Sequence, residues 1–376
     1  MSELSRRGFI HISAASGAAA ALAACAPAAA PAAPAAPASS GPSAQVPAWQ
    51  KEWDDLAAAA KKEGTLVIVS PVGSGYRKAL DSFRQAFPGV EVEQTQLVAT
   101  QFAPKVLAES KAVVNAYDVI VTSHATAGLS LYTNGLMDPV REAIIRSDLK
   151  DDKTWRGGFE AGFPDKDKKW AYAAFSILSD YLWINTDLVA PDEIKTVDDL
   201  LTGKWKGKII SGDPKSNGYG STPGTALRLA YGDDIIKRLW KDQEIVLTVD
   251  SRLLTESLVR GRYPISIGMD PSILSTFQQE GLGKNVRPVR VPNMQSVSAS
   301  QDVLYIFKTK PHPNADKLFL NWYLTQEGQK VWAEAGVNNS RRVDVEPLSP
   351  DRAPQPGVKY FSSETAEGIA GLAETY

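Results

Sequence analysis

Chemistry that needs thiolate or imidazole ligands has little to work with in this chain: its 376 residues include one cysteine and three histidines. A disulfide framework, a paired-cysteine metal knuckle and a histidine-rich zinc site are therefore excluded. An excess of charge of one sign is also missing. Lys and Arg number 41 against 43 Asp and Glu, a net of −2, so no nucleic-acid partner is expected. Neither the GxSxG of acyl-transfer enzymes nor the HExxH of zinc proteases occurs, and no internal repeat is present. The histidines of the body are His124 and His312, and the latter sits in a Lys-Pro-His-Pro stretch that reads as an exposed turn. The acidic doublets Asp54-Asp55, Asp151-Asp152, Asp198-Asp199 and Asp233-Asp234 fall where helix ends and loops are expected, the usual place of solvated carboxylates. No catalysis and no cofactor are expected; an extracytoplasmic hydrolase is the alternative class, with no residue pair singled out for it. What is abundant is turn chemistry, with 28 Gly and 24 Pro, in a chain long enough for two lobes and a cleft between them.

The amino terminus reads as an address. Ser5-Arg6-Arg7-Gly8-Phe9-Ile10 carries a twin-arginine pattern, and Ile10 to Ala24 forms a mild apolar stretch without acidic residues. That stretch is too short for a membrane span, which takes about 20 apolar residues. Leu22-Ala23-Ala24-Cys25 has the form of a bacterial lipobox, so residues 1–24 are expected to be a Tat-type lipoprotein signal and Cys25 the lipidated mature terminus. Residues 25–48 are dominated by Ala, Pro, Ser and Gly, a semi-stiff tether that forms no core. The protein is expected to be exported and lipid-anchored to the cell envelope, in the periplasm or on the outer face of the cytoplasmic membrane.

From Trp49 the pattern alternates strand and helix. A helical spacing over Trp49 to Glu63 ends at Gly64, and Thr65 to Val69 is a buried-type strand. A Gly/Ser loop, Ser70 to Gly75, leads into a helix ending at Phe87; Val90 to Thr95 and Tyr117 to Val121 are further strands, with a helix over Phe102 to Ala112 between them. Strands separated by helices predict an α/β fold with parallel pairing and function at the carboxyl ends of the strands.

The order of these segments resembles the family 1 extracellular solute-binding proteins, in particular the branch containing ferric-iron, thiamine, phosphonate and sugar-phosphate receptors. The residues that carry the resemblance are Glu63-Gly64-Thr-Leu-Val-Ile-Val69, Phe83 to Val92 with its Phe-Pro-Gly step, Tyr117-Asp118-Val-Ile-Val121 and Leu182-Trp-Ile-Asn185-Thr186. Trp205 to Pro214, Gly261 to Gly268 and Lys310 to Gln329 continue the series, so that about 300 of the 376 residues are covered. The resemblance implies a two-lobed clamshell of the type II periplasmic-binding-protein kind with two crossover strands. Residues 49–174 plus 300–376 would form lobe 1 and residues 188–289 lobe 2, with the hinge crossovers at 175–187 and 290–299. It also implies a monomer that captures a small solute in the interlobe cleft and delivers it to a membrane ABC permease.

Candidate ligand contacts follow from strand-to-helix loops, whose free backbone N–H groups suit anions. In lobe 1 these are Ser70, Gly73, Ser74 and Tyr76, with Ser74 equally readable as a helix cap, and Thr122 and Ser123 beside His124 at the end of the third strand. In lobe 2 they are Asp213, Asn217, Ser221 and Thr222 ahead of a helix at Thr225 to Tyr231, and Arg252 after the strand at Ile245 to Val249, where a guanidinium suits a carboxylate or phosphate. Tyr172, Ser176 and Tyr181 of the crossover are expected as added contacts or hinge packing. The ferric-iron receptors of this branch carry adjacent tyrosines just after the strand matching Ile265 to Gly268; here Met269-Asp270-Pro271 stand there. A thioether is a poor ligand for hard Fe(III), whereas Asp270 is a possible one. A small organic anion, whether carboxylate, phosphonate or phosphate ester, is therefore the expected solute, and a ferric-iron receptor with a site lacking the tyrosine pair is the alternative.

Overall fold

The computed structural model describes residues 47–215, 219–300 and 302–375; the leader, the lipidation site Cys25, most of the linker and Asn217 lie outside the described residues. In chain order the first stretch is α1 (Gln50–Glu63), β1 (Thr65–Ser70), α2 (Ser74–Ala86), β2 (Glu91–Gln96), α3 (Ala99–Lys111), β3 (Val119–Thr122), α4 (Leu129–Thr133), β4 (Met137–Asp138), α5 (Val140–Ala143) and β5 (Tyr172–Ala173). The chain then leaves on β6 (Phe175–Asp180) for β7 (Leu182–Asn185), α6 (Val197–Leu200), β8 (Ile209–Gly212), α7 (Ser221–Tyr231), α8 (Asp234–Ile236), β9 (Val246–Thr248), α9 (Ser251–Val259), β10 (Ile265–Ile267), α10 (Pro271–Gln279) and β11 (Val286–Pro288). It returns on β12 (Gln295–Ser298) to β13 (Val303–Phe307), α11 (Pro313–Tyr323), α12 (Gln326–Gly336), β14 (Asn339–Ser340) and the terminal α13 (Ala366–Thr375).

The first sheet has the order β2-β1-β3-β13-β4, with β5 also on β13. Its side chains alternate between two apolar layers, as the period of a strand requires. Leu66, Ile68, Val119, Val121, Leu304 and Ile306 pack with Phe83, Phe319, Trp322 and Trp332 from helices α2, α11 and α12. Val69, Ile120, Val303 and Tyr305 face Phe102 and Val106 of α3 on the other side. A fully buried side chain of this size contributes about 1.5–3 kcal/mol, so continuous apolar runs covered on both faces are the main support of this layer. The second sheet, β11-β7-β10-β8-β9, repeats the plan: Ile184, Ile209, Ile265 and Ile267 face one cluster, and Trp183 and Ile210 the other.

Pairing is parallel for β1 with β2 and β3 and for β8 with β9 and β10. The expectation of parallel strands fails where the chain changes sheets: β13 runs antiparallel to β3, and β7 antiparallel to β10 and β11, because these strands enter from the opposite end. The crossovers β6 and β12 pair antiparallel with each other and, with β14, make a third sheet in the order β12-β6-β14. A second difference concerns the tail. Residues 300–376 are assigned from sequence to lobe 1, yet α13 packs on α7, with Gly371 fitted against Thr225 and Leu229 and the Arg228 guanidinium donating to Gly371 O.

Candidate functional site

The loop after β1 is closed by its own neighbours. Ser70 is buried, donates to Pro71 O at 3.1 Å and accepts from Gln94 Nε2 at 2.7 Å, so its hydroxyl is committed. Gln96 Nε2 donates to Gly73 O at 2.7 Å, and Ser74 is exposed at the start of α2 without a capping bond. Tyr76 points inward: its ring lies 5.6 Å from that of Trp332 and its hydroxyl bonds the buried Asp302. Burial and the Asp302 charge raise the Tyr76 phenol far above its ordinary value, so the hydroxyl stays protonated and is committed to Asp302. Thr122 is buried in the β3 ladder against Val303, and Ser123 Oγ lies 3.4 Å from Thr126 Oγ1. His124 is buried, with Nδ1 bonded to Tyr305 Oη; burial lowers its pKa to about 4. His312 is not a free turn residue, since Nδ1 bonds Asp118 Oδ2 at 2.9 Å.

In the second sheet the loop after β8 is drawn towards the crossovers. Asp213 Oδ1 accepts from Lys215 N at 2.9 Å, while Ser221 and Thr222 are buried in the first turn of α7. The Tyr181 hydroxyl, at the exit of β6, bonds Ser296 Oγ of β12 at 2.7 Å and also Thr222, so it ties both crossovers to the start of α7. The Tyr219 ring meets the Tyr181 ring at 5.9 Å. Burial, aided by the Asp270 charge, pushes the Tyr219 phenol up to about 12. Gly268 has φ +79°, and a Cβ there would lie 2.1 Å from Tyr219 O, so glycine is what lets this loop close onto β10.

The residues after β10 behave differently from their sequence reading. Met269 is fully buried with Trp183, Ile210, Leu254 and Leu274, and is packing rather than a cleft contact. Asp270 caps α10, its Oδ1 accepting from Ser272 N at 2.9 Å and Ser272 Oγ at 2.8 Å. Arg252 is exposed in the first turn of α9 with its guanidinium 5.0 Å over the Phe277 ring. Among the described residues the sequence-derived contacts thus fall into separate loops, and of them Ser176 alone lines a cavity that lies over the crossover sheet.

That cavity, about 810 Å³, is floored by Phe175, Ser176, Val297 and Ser298 and walled by Phe163 and the tail residues Pro354 and Val358. It is mainly apolar and of a size usual for small-molecule sites. On one flank stand Arg341 and Arg156. Arg341 is buried and donates to the carbonyls of Ala173, Arg156 and Gly158 at 3.1, 3.0 and 2.7 Å; Arg156 donates to those of Ser340, Arg342 and Val345. Neither forms an ion pair among the described residues. Glu364, buried in the tail, also lines the cavity, and burial pushes its carboxyl up to about 7. Sequence reasoning missed Phe163, Arg341 and Glu364. Arg341-Arg342 directly after the buried Asn339–Ser340 strand was a usable signal, whereas the Pro-rich tail has no periodicity to mark a wall.

Among the described residues no cluster of three or more His, Cys, Asp or Glu is arranged to hold a metal ion, and no helix is long and apolar enough to cross a membrane. Comparison with solved structures gives matches at low identity. Iron-bound HitA from Pseudomonas aeruginosa is 16% identical with a TM-score of 0.53, covering 83% of this chain and 99% of that one. Ferric iron-binding protein A of Mannheimia haemolytica in an open conformation is 14% identical with a TM-score of 0.62, covering 83% and 96%. An ABC transporter protein from Clostridium perfringens is 16% identical with a TM-score of 0.60, covering 82% and 96%. These likenesses show the two-lobed type II periplasmic-binding-protein fold. No curated protein matches the chain significantly. The family model described as bacterial extracellular solute-binding protein matches residues 68–330, and the chain belongs to that family.

Proposed function

We propose that the chain is the receptor of an ABC importer, held to the envelope through Cys25, and that it captures a small organic acid in the cavity over β12-β6-β14. Arg341 carries the ligand class. Its guanidinium is buried and bonded to the carbonyls of Ala173, Arg156 and Gly158 and to the neutral Tyr172 hydroxyl, so its charge is oriented without a counter-ion, and in a low-dielectric wall such a charge favours an anion. The apolar floor and walls favour a solute with a hydrocarbon body over an inorganic ion. In this reading residues 49–174 with β13, α11 and α12 act as one lobe and 188–289 as the other, with 175–187 and 290–299 as the hinge. A solute that touches the crossovers and the tail stabilises one arrangement of the lobes by its differential affinity, and a permease reads that arrangement. We expect a monomer that carries out no chemistry on its cargo.

A thermal-shift screen of the purified protein against carboxylates, phosphonates, sugar phosphates and ferric iron with carbonate tests this. A ligand at 100 times its Kd stabilises the fold by about 2.7 kcal/mol. Stabilisation by carboxylates that Ser298→Trp abolishes by filling the cavity is the expected result. Stabilisation by ferric iron alone would replace the organic-acid reading with iron capture, by analogy with iron-bound HitA and the ferric iron-binding protein.

A further inference from the structure

Glu364 is the one carboxyl lining the cavity among the described residues, and its surroundings do not satisfy it. Oε2 accepts from Ala299 N at 2.8 Å; Oε1 accepts nothing among the described residues. That oxygen is not sealed in the interior but keeps access to the cavity, where an incoming donor can reach it. The groups around it do not supply the missing partner. The turn between β12 and β13 brings Asp302, whose like charge opposes ionisation of Glu364. From β13 comes the Tyr305 phenol, already bonded to His124. The tail's Lys359 and Arg352 form no bond to it, and Arg352 donates instead to Leu178 O at 3.2 Å. Arg156 and Arg341 line the same cavity, yet neither pairs with Glu364 nor acts on its titration. A carboxyl and a guanidinium therefore border one apolar space without pairing with each other.

The geometry points to a solute that carries a cationic nitrogen as well as its acid group, the nitrogen meeting Glu364 Oε1, the carboxylate facing Arg341 and an apolar body lying between them. This inference rests on the organic-acid reading and narrows it to amphoteric solutes, amino acids in the broad chemical sense. A solute of this kind supplies both missing counter-charges, whereas a plain acid leaves Glu364 unpaired and a plain amine leaves Arg341 so. The tail becomes the selecting wall, since Glu364 is pinned to the second crossover by Ala299 and by the bridge between Ser296 and Phe361. Because burial pushes Glu364 up to about 7, a cation placed beside it drives off the proton that the empty site holds. At pH 7 that amounts to about half a proton released for each solute bound.

Isothermal titration calorimetry on the full protein at pH 7, in phosphate and in Tris, reads both affinity and proton release. The probes are 5-aminopentanoate, 8-aminooctanoate and phenylalanine, each beside the matched acid without nitrogen (pentanoate, octanoate, 3-phenylpropionate) and the matched amine without carboxylate. The amino acids are expected to bind at least tenfold tighter than either matched set, with buffer-dependent heat corresponding to proton release. Glu364→Gln keeps the shape and the acceptor for Ala299 N; it should remove the tenfold advantage and the proton release. Equal binding of acids and amino acids by the unaltered protein would overturn the inference and leave the organic-acid reading standing. Equal binding of amines and amino acids would instead overturn the organic-acid reading. Proton uptake would show Glu364 donating to an anion, against the inference, and no binding by any probe would sink both. The buffer dependence of the unaltered protein decides the matter even if the variant does not fold.

Discussion

Arg252 and Arg341 are both arginines near the ends of strands, but their environments set different outcomes. The Arg252 guanidinium lies in solvent over the Phe277 ring, where a cation–π contact is worth about 0.5–1 kcal/mol. Arg252→Ala is accordingly expected to lower stability in urea by no more than about 1 kcal/mol and to leave solute affinity within twofold, measured by calorimetry. A tenfold loss of affinity would return the site to the loop after β9. Met269 makes the opposite case. It is buried with Trp183, Leu254 and Leu274, and removal of such a side chain leaves a cavity as well as lost transfer energy. Met269→Ala should therefore cost about 2–5 kcal/mol in urea with solute affinity unchanged in the folded fraction. A variant of full stability and lost affinity would show that Met269 meets the solute after all.

At the scale of elements, α2 and α12 approach closely because position 75 has no side chain: a Cβ there would lie 2.8 Å from Ala335 Cα and 2.9 Å from Ala335 O. Since the contact is with backbone, neither helix can yield by a rotamer change. Gly75→Ala is expected to destabilise the protein by about 1–3 kcal/mol, read as a lower urea midpoint at unchanged slope. An unchanged midpoint would mean that the pair of helices slides freely. The elements themselves were legible in the sequence wherever one period ran unbroken. Thr65 to Val69 announces β1, the Trp49 to Glu63 spacing announces α1, and the antiparallel entries of β7 and β13 were lost only because direction leaves no mark on composition. The candidate contacts were less legible because their partners are far along the chain. Ser70 looks free until Gln94 is seen to hold it, and Tyr76 looks like a ligand until Asp302 is found beneath it. Glu364 sits in a Pro-rich tail whose role arises only when Phe361 bridges to Ser296 on β12.

The molecule as a whole carries buried acids whose titration opposes that of a buried histidine, and the balance sets its stability against pH. Burial raises Asp302 to about 6 and Glu364 to about 7, and raises Asp316 as well although Lys310 opposes this. An acid raised in the folded state contributes stability that is fully present below its unfolded value, near 4, and is lost as pH rises through the folded value. Asp302, Asp316 and Glu364 therefore make the protein less stable as pH climbs from about 5 to about 8. His124 works the other way. Its folded pKa of about 4 lies below the unfolded value near 6.5, so the stability it contributes is lost as pH falls from 6.5 towards 4. A tenfold difference in proton affinity between folded and unfolded chains corresponds to about 1.4 kcal/mol at most. From pH 8 to pH 5.5 the rise from Glu364, Asp316 and Asp302 together exceeds the loss from His124 by about 3 kcal/mol. Urea titrations should thus show a more stable protein at pH 5.5 than at pH 8, and Glu364→Gln should shrink the difference by about 2 kcal/mol by removing one of its two largest contributors. A protein that is more stable at pH 8, with the variant behaving alike, would mean that Glu364 is already ionised beside a partner, and the unmatched charge on which the amphoteric solute was inferred would not exist.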